Sequence, residues 1–207
     1  MGKYCSLTSL RESSNDAEQS VRIWTRDKAA RHSTQTLKRI AMAPEIYWVK
    51  EVEPIRVALM ARPRSGDWLQ DEISGWRRAG IGTVVSLLEA HEVRELALAE
   101  ESALCAAQAI EYLSFPIKDR GTPPSVRATA IFVDGLVSRL RSGNAVAVHC
   151  RAGIGRSGLI TGCILLKLGL PLAEIFPILT ESRGLPVPDT EGQAKWVEGF
   201  SREPNAL

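Results

Sequence analysis

The sequence predicts an α/β fold, in which a central, mostly parallel sheet of about four to five strands is flanked by helices. Two observations lead to this expectation. Short apolar runs of strand type alternate with helical segments from residue 47 onward, and this alternation is typical of βαβ units. Glycine, proline and asparagine stand between most of these segments, where they favour turns.

The elements can be placed in order along the chain. Strands are predicted over residues 55–60, 83–88, 111–117 and 145–148, and helices over residues 67–79, 91–109 and 125–141, followed by further helices from residue 158 onward. The first helix carries Ile73 and Trp76 on one apolar face and ends before Gly80. Because ligands bind beyond the carboxyl ends of parallel strands, the residues that follow the last strand are candidates for a site.

Composition divides the chain into two parts. Residues 1–43 are rich in serine, threonine and charged residues without a sustained hydrophobic period, so we expect a disordered tail there. Residues 44–207 are expected to form a single domain. The first residues fit the N-myristoylation pattern at Gly2, with Cys5 as a candidate second acylation site. An alternative is that translation starts at Met42.

Charge and cysteine usage exclude several classes of protein. The net charge of +2 is too small to favour nucleic acid or a membrane surface as a partner. The four cysteines lack the paired spacing of a zinc site or a disulfide framework, so neither a metal nor a disulfide is expected. The apolar stretch over residues 158–180 is interrupted by charges and prolines, which predicts two buried helices rather than a membrane span.

The stretch over residues 146–158, VAVHCRAGIGRSG, combines a strand, a glycine-rich loop and a helix start. This arrangement points consecutive backbone N–H groups into one concavity that suits a dianion. Gly153 and Gly155 allow the backbone to approach a ligand closely. Arg156 offers a planar fork that matches two phosphate oxygens. Cys150 is the candidate nucleophile, because a helix N-terminus and a neighbouring arginine stabilise a thiolate.

The spacing of these residues resembles the signature loop of the cysteine-dependent protein phosphatases, His-Cys-(five residues)-Arg-Ser/Thr. All four fixed positions are present, at His149, Cys150, Arg156 and Ser157. The phosphate-binding loop is then formed by Arg151, Ala152, Gly153, Ile154, Gly155 and Arg156. The resemblance extends over about residues 55–200 and is closest to the compact dual-specificity phosphatases, in particular the cyclin-dependent-kinase-associated subgroup.

The resemblance implies a metal-independent phosphatase that needs no cofactor and works through a phosphocysteine intermediate. Its substrates would be phosphotyrosine and phosphoserine or phosphothreonine in proteins, or small phosphoesters. Ser157 would hydrogen-bond the sulfur and ease its departure, and His149 would orient the loop. A free nucleophilic thiol also favours a reducing compartment, so we expect a cytoplasmic protein.

A general acid is required because a phosphate ester does not easily release an alkoxide or phenoxide. Asp119 lies on a loop with Gly121 and two prolines, directly after a predicted strand. By the resemblance, Asp119 protonates the leaving oxygen and then activates water. The alternative is a solvated turn residue that pairs with Arg120. The chain departs here from the larger tyrosine-specific enzymes, which have Trp-Pro-Asp where this sequence has Ile-Lys-Asp.

Three further residues have two interpretations each. Arg151 either favours acidic or multiply phosphorylated ligands at the rim or is simply solvated. Gln193 is comparable with a water-positioning glutamine of some phosphatases, but it also completes a Thr-x-x-Gln capping box at the start of the last helix, which is the favoured interpretation. Arg183 either reaches the mouth of the pocket or lies on the surface.

Other functions remain open at this point. The Gly-x-Gly-x-x-Gly pattern that starts at Gly153 also occurs in dinucleotide-binding folds, but the strand that such a fold needs after the helix is missing. A rhodanese-like sulfurtransferase shares the cysteine and the cradle loop, although it would not need Asp119. A non-catalytic phosphoprotein-binding module is the third alternative.

Overall fold

The computed structural model describes residues 43–202, in which strands and helices alternate along the chain. The strands are β1 Tyr47–Trp48, β2 Val57–Met60, β3 Ile81–Ser86, β4 Glu111–Ser114 and β5 Ala145–His149. The α-helices are α1 Leu69–Arg78, α2 Ala90–Glu95, α3 Glu101–Ala107, α4 Val126–Arg141, α5 Gly155–Lys167, α6 Leu172–Arg183 and α7 Glu191–Arg202, and 3₁₀ helices cover Lys50–Val52 and Gly66–Trp68. The predicted tail and the Gly2/Cys5 motif lie outside the described residues.

The five strands form one sheet in the order β1-β2-β5-β3-β4. Strand β1 runs antiparallel to β2, and the other neighbouring pairs are parallel. The predicted α/β class with a mostly parallel sheet is therefore confirmed. All five residues of β5 are buried, as expected for a central strand that has a neighbour on each side and helices on both faces.

Helices cover the two faces of the sheet as separate layers. Val146 and Val148 of β5 point into a core shared with α4, α5, α6 and α7. Ala147, between them, points into a second core that contains Trp76 of α1 and Cys105 of α3. This alternation follows from the two-residue period of a strand. It also decides on which side of the sheet each residue after β5 must lie.

Helix α5 is the most deeply buried helix among those described, and all of its residues except Lys167 are buried. A Cβ at Gly158 would lie 2.3 Å from Cγ1 of Val187, so the absence of a side chain allows the close packing there. The helix begins at Gly155 instead of the predicted residue 158, because the last residues of the signature loop already have helical backbone conformation. Its N-terminus therefore faces the space beyond β5.

The prediction of one long helix over residues 91–109 is wrong, because this part of the chain forms two helices, α2 and α3. Ala97 has a φ of 52° and closes α2, with its N–H donating to Arg94 O and the Leu98 N–H donating to Val93 O. This is a Schellman motif, in which glycine is usual at the left-handed position. The helix end was missed because an alanine occupies that position.

Other differences are shifted element ends and one additional strand. The strand predicted over residues 111–117 ends at Ser114, the strand predicted over residues 83–88 spans Ile81–Ser86, and the strand predicted from residue 55 begins at Val57. The short β1 is not predicted by the sequence. Within residues 43–202, no helix is long and apolar enough to cross a membrane. In the same range, no group of three or more His, Cys, Asp or Glu side chains is arranged to hold a metal ion.

The end of α3 provides a test of backbone strain. Ala109 has a φ of 54° and occupies the left-handed position of a second Schellman motif. We expect Ala109→Gly to raise the free energy of unfolding by about 0.5–1 kcal/mol, because glycine adopts this conformation without steric cost. The same exchange at Ala103, on the exposed face of α3, should lower it by a similar amount. Urea unfolding measures both, and a destabilised Ala109→Gly variant would contradict the assigned strain.

Candidate active site

Cys150 directly follows the last residue of β5, at the carboxyl edge of the sheet. Its side chain is buried, and two polar groups approach the sulfur. The Gly153 N–H donates to Sγ at 3.3 Å, and the Ser157 Oγ lies 3.5 Å from Sγ. The sulfur of Cys150 thus lies within hydrogen-bonding distance of two polar groups of the signature loop.

The other described cysteines are in a different environment. Burial, with a smaller contribution from the charge of Glu101, raises the pKa of Cys105 to about 12. Burial also raises the pKa of Cys163. Because the thiolate is the nucleophilic form, these two thiols are poor nucleophiles, and Cys150 is the candidate among the described cysteines.

The loop takes its shape from a close approach to strand β2. Gly153 has a φ of 71°, and a Cβ there would lie 2.5 Å from the carbonyl carbon and oxygen of Met60. Any side chain would therefore push the loop away from the end of β2. The sequence expectation that this glycine allows close backbone approach agrees with its position, although the nearest atoms belong to the protein and not to a ligand.

Arg183, the last residue of α6, holds the outer side of the same loop. Its Nε donates to Gly153 O and its Nη2 donates to Ala152 O, both at 3.1 Å. Its guanidinium carbon lies 4.0 Å from the centre of the Tyr47 ring. Arg183 is therefore bound to the loop rather than free at the surface. With two carbonyls directed outward, the loop can turn backbone N–H groups inward.

Arg156 is buried and held from several sides. Its Nη1 donates to Glu92 Oε2 at 2.6 Å and its Nη2 donates to Glu92 Oε1 at 2.9 Å, which is a bidentate pair. Nη1 also donates to Ile117 O at 2.9 Å. These bonds fix the plane of the guanidinium before any ligand is present.

Glu92 was not identified from the sequence. Burial favours its neutral form, but hydrogen bonds from Arg156 and from the Glu89 N–H outweigh burial, so the pKa of Glu92 is lowered. Its only signal in the sequence is a helix-start pattern, Glu-x-x-Glu at residues 89–92, and such a pattern gives no information about a partner 64 positions later.

Asp119 lies beside the same arginine. Its Oδ1 is 2.8 Å from Nη2 of Arg156, and about half of its side chain is exposed. The alternative that Asp119 pairs with Arg120 is not what the structure shows, since Arg120 lies 3.4 Å from Asp189. The exposed position leaves the Asp119 carboxylate accessible to a ligand that enters from solvent.

These residues surround a cavity of about 180 Å³. Its lining consists of Asp119, Arg120, Cys150, Arg151, Ala152, Ile154, Gly155, Arg156, Asp189 and Gln193. Arg151, at the rim, pairs with Glu95 at 2.7 Å and approaches Glu92 at 3.9 Å. Its charge is therefore partly neutralised, which weakens the interpretation that it selects acidic ligands.

His149 lies on the opposite side of the sheet from Cys150. Its Nε2 is 2.9 Å from Glu101 Oε1, and both side chains are fully buried. The contact does not have the direction of a regular hydrogen bond. The Trp76 ring packs near the imidazole, with 6.3 Å between the ring centres. The predicted role of His149 in orienting the loop stays a prediction.

Comparison with known proteins identifies the family. Residues 58–170 match the family described as "Polymorphic toxin system, DSP-PTPase phosphatase". The chain belongs to this family. Of the curated relatives, phosphatidylglycerophosphate phosphatase PTPMT2 of Arabidopsis thaliana is 30% identical over 127 residues, which cover 61% of this chain and 53% of the relative. Protein 067L of Invertebrate iridescent virus 3, named as a tyrosine phosphatase, is 42% identical over 57 residues, which cover 26% of this chain and 24% of the relative.

The chain thus spans between about a quarter and about half of the length of these curated relatives. Solved structures agree in fold. Kinase associated phosphatase superposes with a TM-score of 0.69 at 22% identity, covering 76% of this chain and 93% of that one. Tk-PTP in its active form gives a TM-score of 0.64 at 25% identity, covering 77% and 98%. The predicted resemblance to compact dual-specificity phosphatases is confirmed, and the sulfurtransferase and binding-module alternatives are not favoured.

The buried pair of Arg156 and Glu92 yields a prediction about stability and pH. We expect Glu92→Gln to lower the free energy of unfolding at pH 7 by about 3 kcal/mol, because the buried guanidinium loses its buried charged partner and keeps only the half-exposed Asp119. The native pKa of Glu92 is lowered, so its stabilising contribution is complete above the ordinary glutamate pKa and is lost as pH falls through the native value. The difference between the wild type and the variant should therefore shrink on acidification.

Urea unfolding at neutral and acidic pH measures this difference. Glu95→Gln is the matched control, because its partner Arg151 is an exposed arginine at the rim, and it should change stability little at either pH. An equal loss of stability for Glu92→Gln at both pH values would contradict the ionised pair.

Proposed function

We propose that this protein is a metal-independent phosphatase that hydrolyses phosphomonoesters through a phosphocysteine intermediate. One observation carries the proposal: a candidate nucleophile, an anion-binding guanidinium and a carboxylate converge on one cavity. Cys150, Arg156 and Asp119 all line it, and Asp119 Oδ1 is 2.8 Å from Arg156 Nη2. Phosphoryl transfer depends mainly on positioning and charge stabilisation, and this arrangement supplies both.

In the first step, the Cys150 thiolate attacks phosphorus while Arg156 and the loop N–H groups hold the non-bridging oxygens. Asp119 gives its proton to the leaving oxygen, so the alcohol or phenol departs neutral. In the second step, Asp119 takes a proton from water, which attacks the phosphocysteine. The sulfur leaves as a thiolate, with Ser157 3.5 Å away to hydrogen-bond it. Inorganic phosphate is released and the enzyme returns to its initial state.

For substrates, we propose phosphotyrosine and phosphoserine or phosphothreonine in proteins, with small phosphoesters as a second class. The family membership and the open, partly exposed carboxylate of Asp119 support this breadth. One relative is named for a phospholipid substrate, so a lipid phosphate belongs in the test. The three cysteines within the described range are free thiols, which is compatible with a reducing compartment such as the cytoplasm.

Phosphate release tests the proposal. A phosphotyrosine peptide, a phosphothreonine peptide and phosphatidylglycerophosphate would be offered in the presence of a chelator, with Cys150→Ser as the blank. We expect turnover that disappears in Cys150→Ser, and the ranking of substrates identifies the class. Absence of turnover on all three, followed by sulfur transfer from thiosulfate, would overturn the proposal in favour of a sulfurtransferase.

The acid role of Asp119 gives a second test. We expect Asp119→Asn to lower kcat/KM for phenyl phosphate by about 10²–10⁴-fold, because the asparagine amide has no acidic proton to transfer to the leaving oxygen. The loss should be much smaller for p-nitrophenyl phosphate, whose leaving group departs readily as an anion. Steady-state kinetics with both substrates measure the contrast, and equal losses on both would show that Asp119 does not act as the acid.

A further inference from the structure

We propose that Gln193 is a positioning residue for the general acid, fixing the loop that carries Asp119. The inference rests on the proposed function and deepens it. Asp119 must reach the leaving oxygen while its loop lies half exposed at the edge of the cavity. Gln193 is a fully buried polar side chain that joins this loop to the start of α7.

The amide of Gln193 is bonded at both ends. Its Oε1 accepts from the Thr190 N–H at 3.2 Å, and Thr190 Oγ1 accepts from the Gln193 N–H at 3.2 Å, so the predicted capping box is present. Its Nε2 donates to Gly121 O at 3.1 Å. The cap therefore orients the side chain so that its NH₂ group contacts the loop that carries Asp119 (the acid loop). A glutamine held in this way is bound to protein groups on both sides, which differs from a side chain that is free to orient water.

The carbonyl that Gln193 binds belongs to the last residue of a tight turn in the loop. The Gly121 N–H donates to Lys118 O at 2.8 Å and closes a tight turn, with Asp119 and Arg120 at its centre. Arg120 has a φ of 56°, a conformation that residues other than glycine adopt at a cost. Such a turn persists only where its surroundings hold it. A bond to the end of this turn therefore limits where the Asp119 carboxylate can lie.

A second contact joins the same two segments. Arg120 Nε lies 3.4 Å from Asp189 Oδ2, in the segment that precedes α7. This segment also lies over the phosphate-binding loop, since a Cβ on Gly155 would be 2.9 Å from both Asp189 Cβ and Gln193 Oε1. The segment thus touches the acid loop and the phosphate-binding loop. We infer that it sets the distance between the acid and the phosphoryl group.

The Gln193→Glu variant tests the positioning of the acid loop without removing the cap of α7. Glutamate also completes a capping box with threonine, so the start of α7 is preserved. Its carboxylate, however, offers no donor to Gly121 O and opposes that carbonyl. Because Gln193 lines the cavity, the added negative charge should lower kcat/KM for both substrates by the same factor. We expect kcat/KM for phenyl phosphate to fall by about a further tenfold relative to kcat/KM for p-nitrophenyl phosphate, since phenyl phosphate depends on the acid much more strongly. The contrast arises because kcat/KM reports the step in which the acid protonates the leaving oxygen.

A water-positioning role would give a different result. In that case hydrolysis of the phosphocysteine slows, so kcat would fall equally for both substrates, the ratio of their kcat/KM values would stay that of the wild type, and a burst of released alcohol would precede steady turnover. This pattern would overturn the proposal. Glu191→Gln, in the same turn of α7 but exposed and paired with Lys195, is the control and should leave both constants unchanged for both substrates.

Asp189→Asn provides an independent variant if Gln193→Glu fails to fold, which circular dichroism would reveal. It removes the charge that faces Arg120 and should lower kcat/KM for phenyl phosphate selectively, by about twofold, because the ion pair is exposed. Equal effects on both substrates for the folded variants would overturn the inference. If the wild type released no phosphate from any substrate, the proposed function itself would fail, so the two failures are distinguishable.

Discussion

The site depends on the hydrogen bonds and ion pairs that hold the Arg156 guanidinium. A buried charge is costly unless it is paired, and here Glu92 provides two short hydrogen bonds while Ile117 provides a carbonyl. The Arg156 side chain thereby joins the signature loop to helix α2 and to the segment that follows β4. Asp119 is a further partner of the same guanidinium. A phosphate that binds Arg156 would have to share or replace that carboxylate, so in the proposed mechanism substrate binding and the release of Asp119 from Arg156 are parts of one exchange.

The parts of the candidate site that could be predicted from the sequence each lie within a short, recognisable stretch of the chain. Cys150, Arg156 and Ser157 lie on one loop between a strand and a helix, and their spacing alone indicates an anion cradle. Asp119 was predicted from the sequence because a proline- and glycine-rich loop after a strand is recognisable. Glu92 was not, because its role arises only when the fold brings α2 against the signature loop. The sheet order was likewise beyond reach, since alternation of elements predicts parallel strands but not their neighbours.

The errors in element boundaries have physical causes of the same kind. Ala97 and Ala109 end helices in the left-handed conformation without the glycine that normally marks such an end. Gln193 shows a different case, in which the interpretation of a local motif is correct but incomplete. The capping box that the sequence indicated is present, and the same amide also reaches the acid loop. A local motif can therefore be correct and still conceal a long-range contact.

Strand β5 delivers two neighbouring residues to different layers of the molecule. His149 enters the α1–α3 layer, where it meets Glu101, and Cys150 enters the α4–α7 layer, where it meets the cavity. Because β5 pairs with β2 and β3 on its two sides, its register is fixed by both neighbours. A deletion or insertion of one residue in this strand would exchange the two destinations, burying the sulfur behind the sheet and placing the imidazole at the cavity. The length of one five-residue strand thus determines whether the thiol or the imidazole lines the cavity.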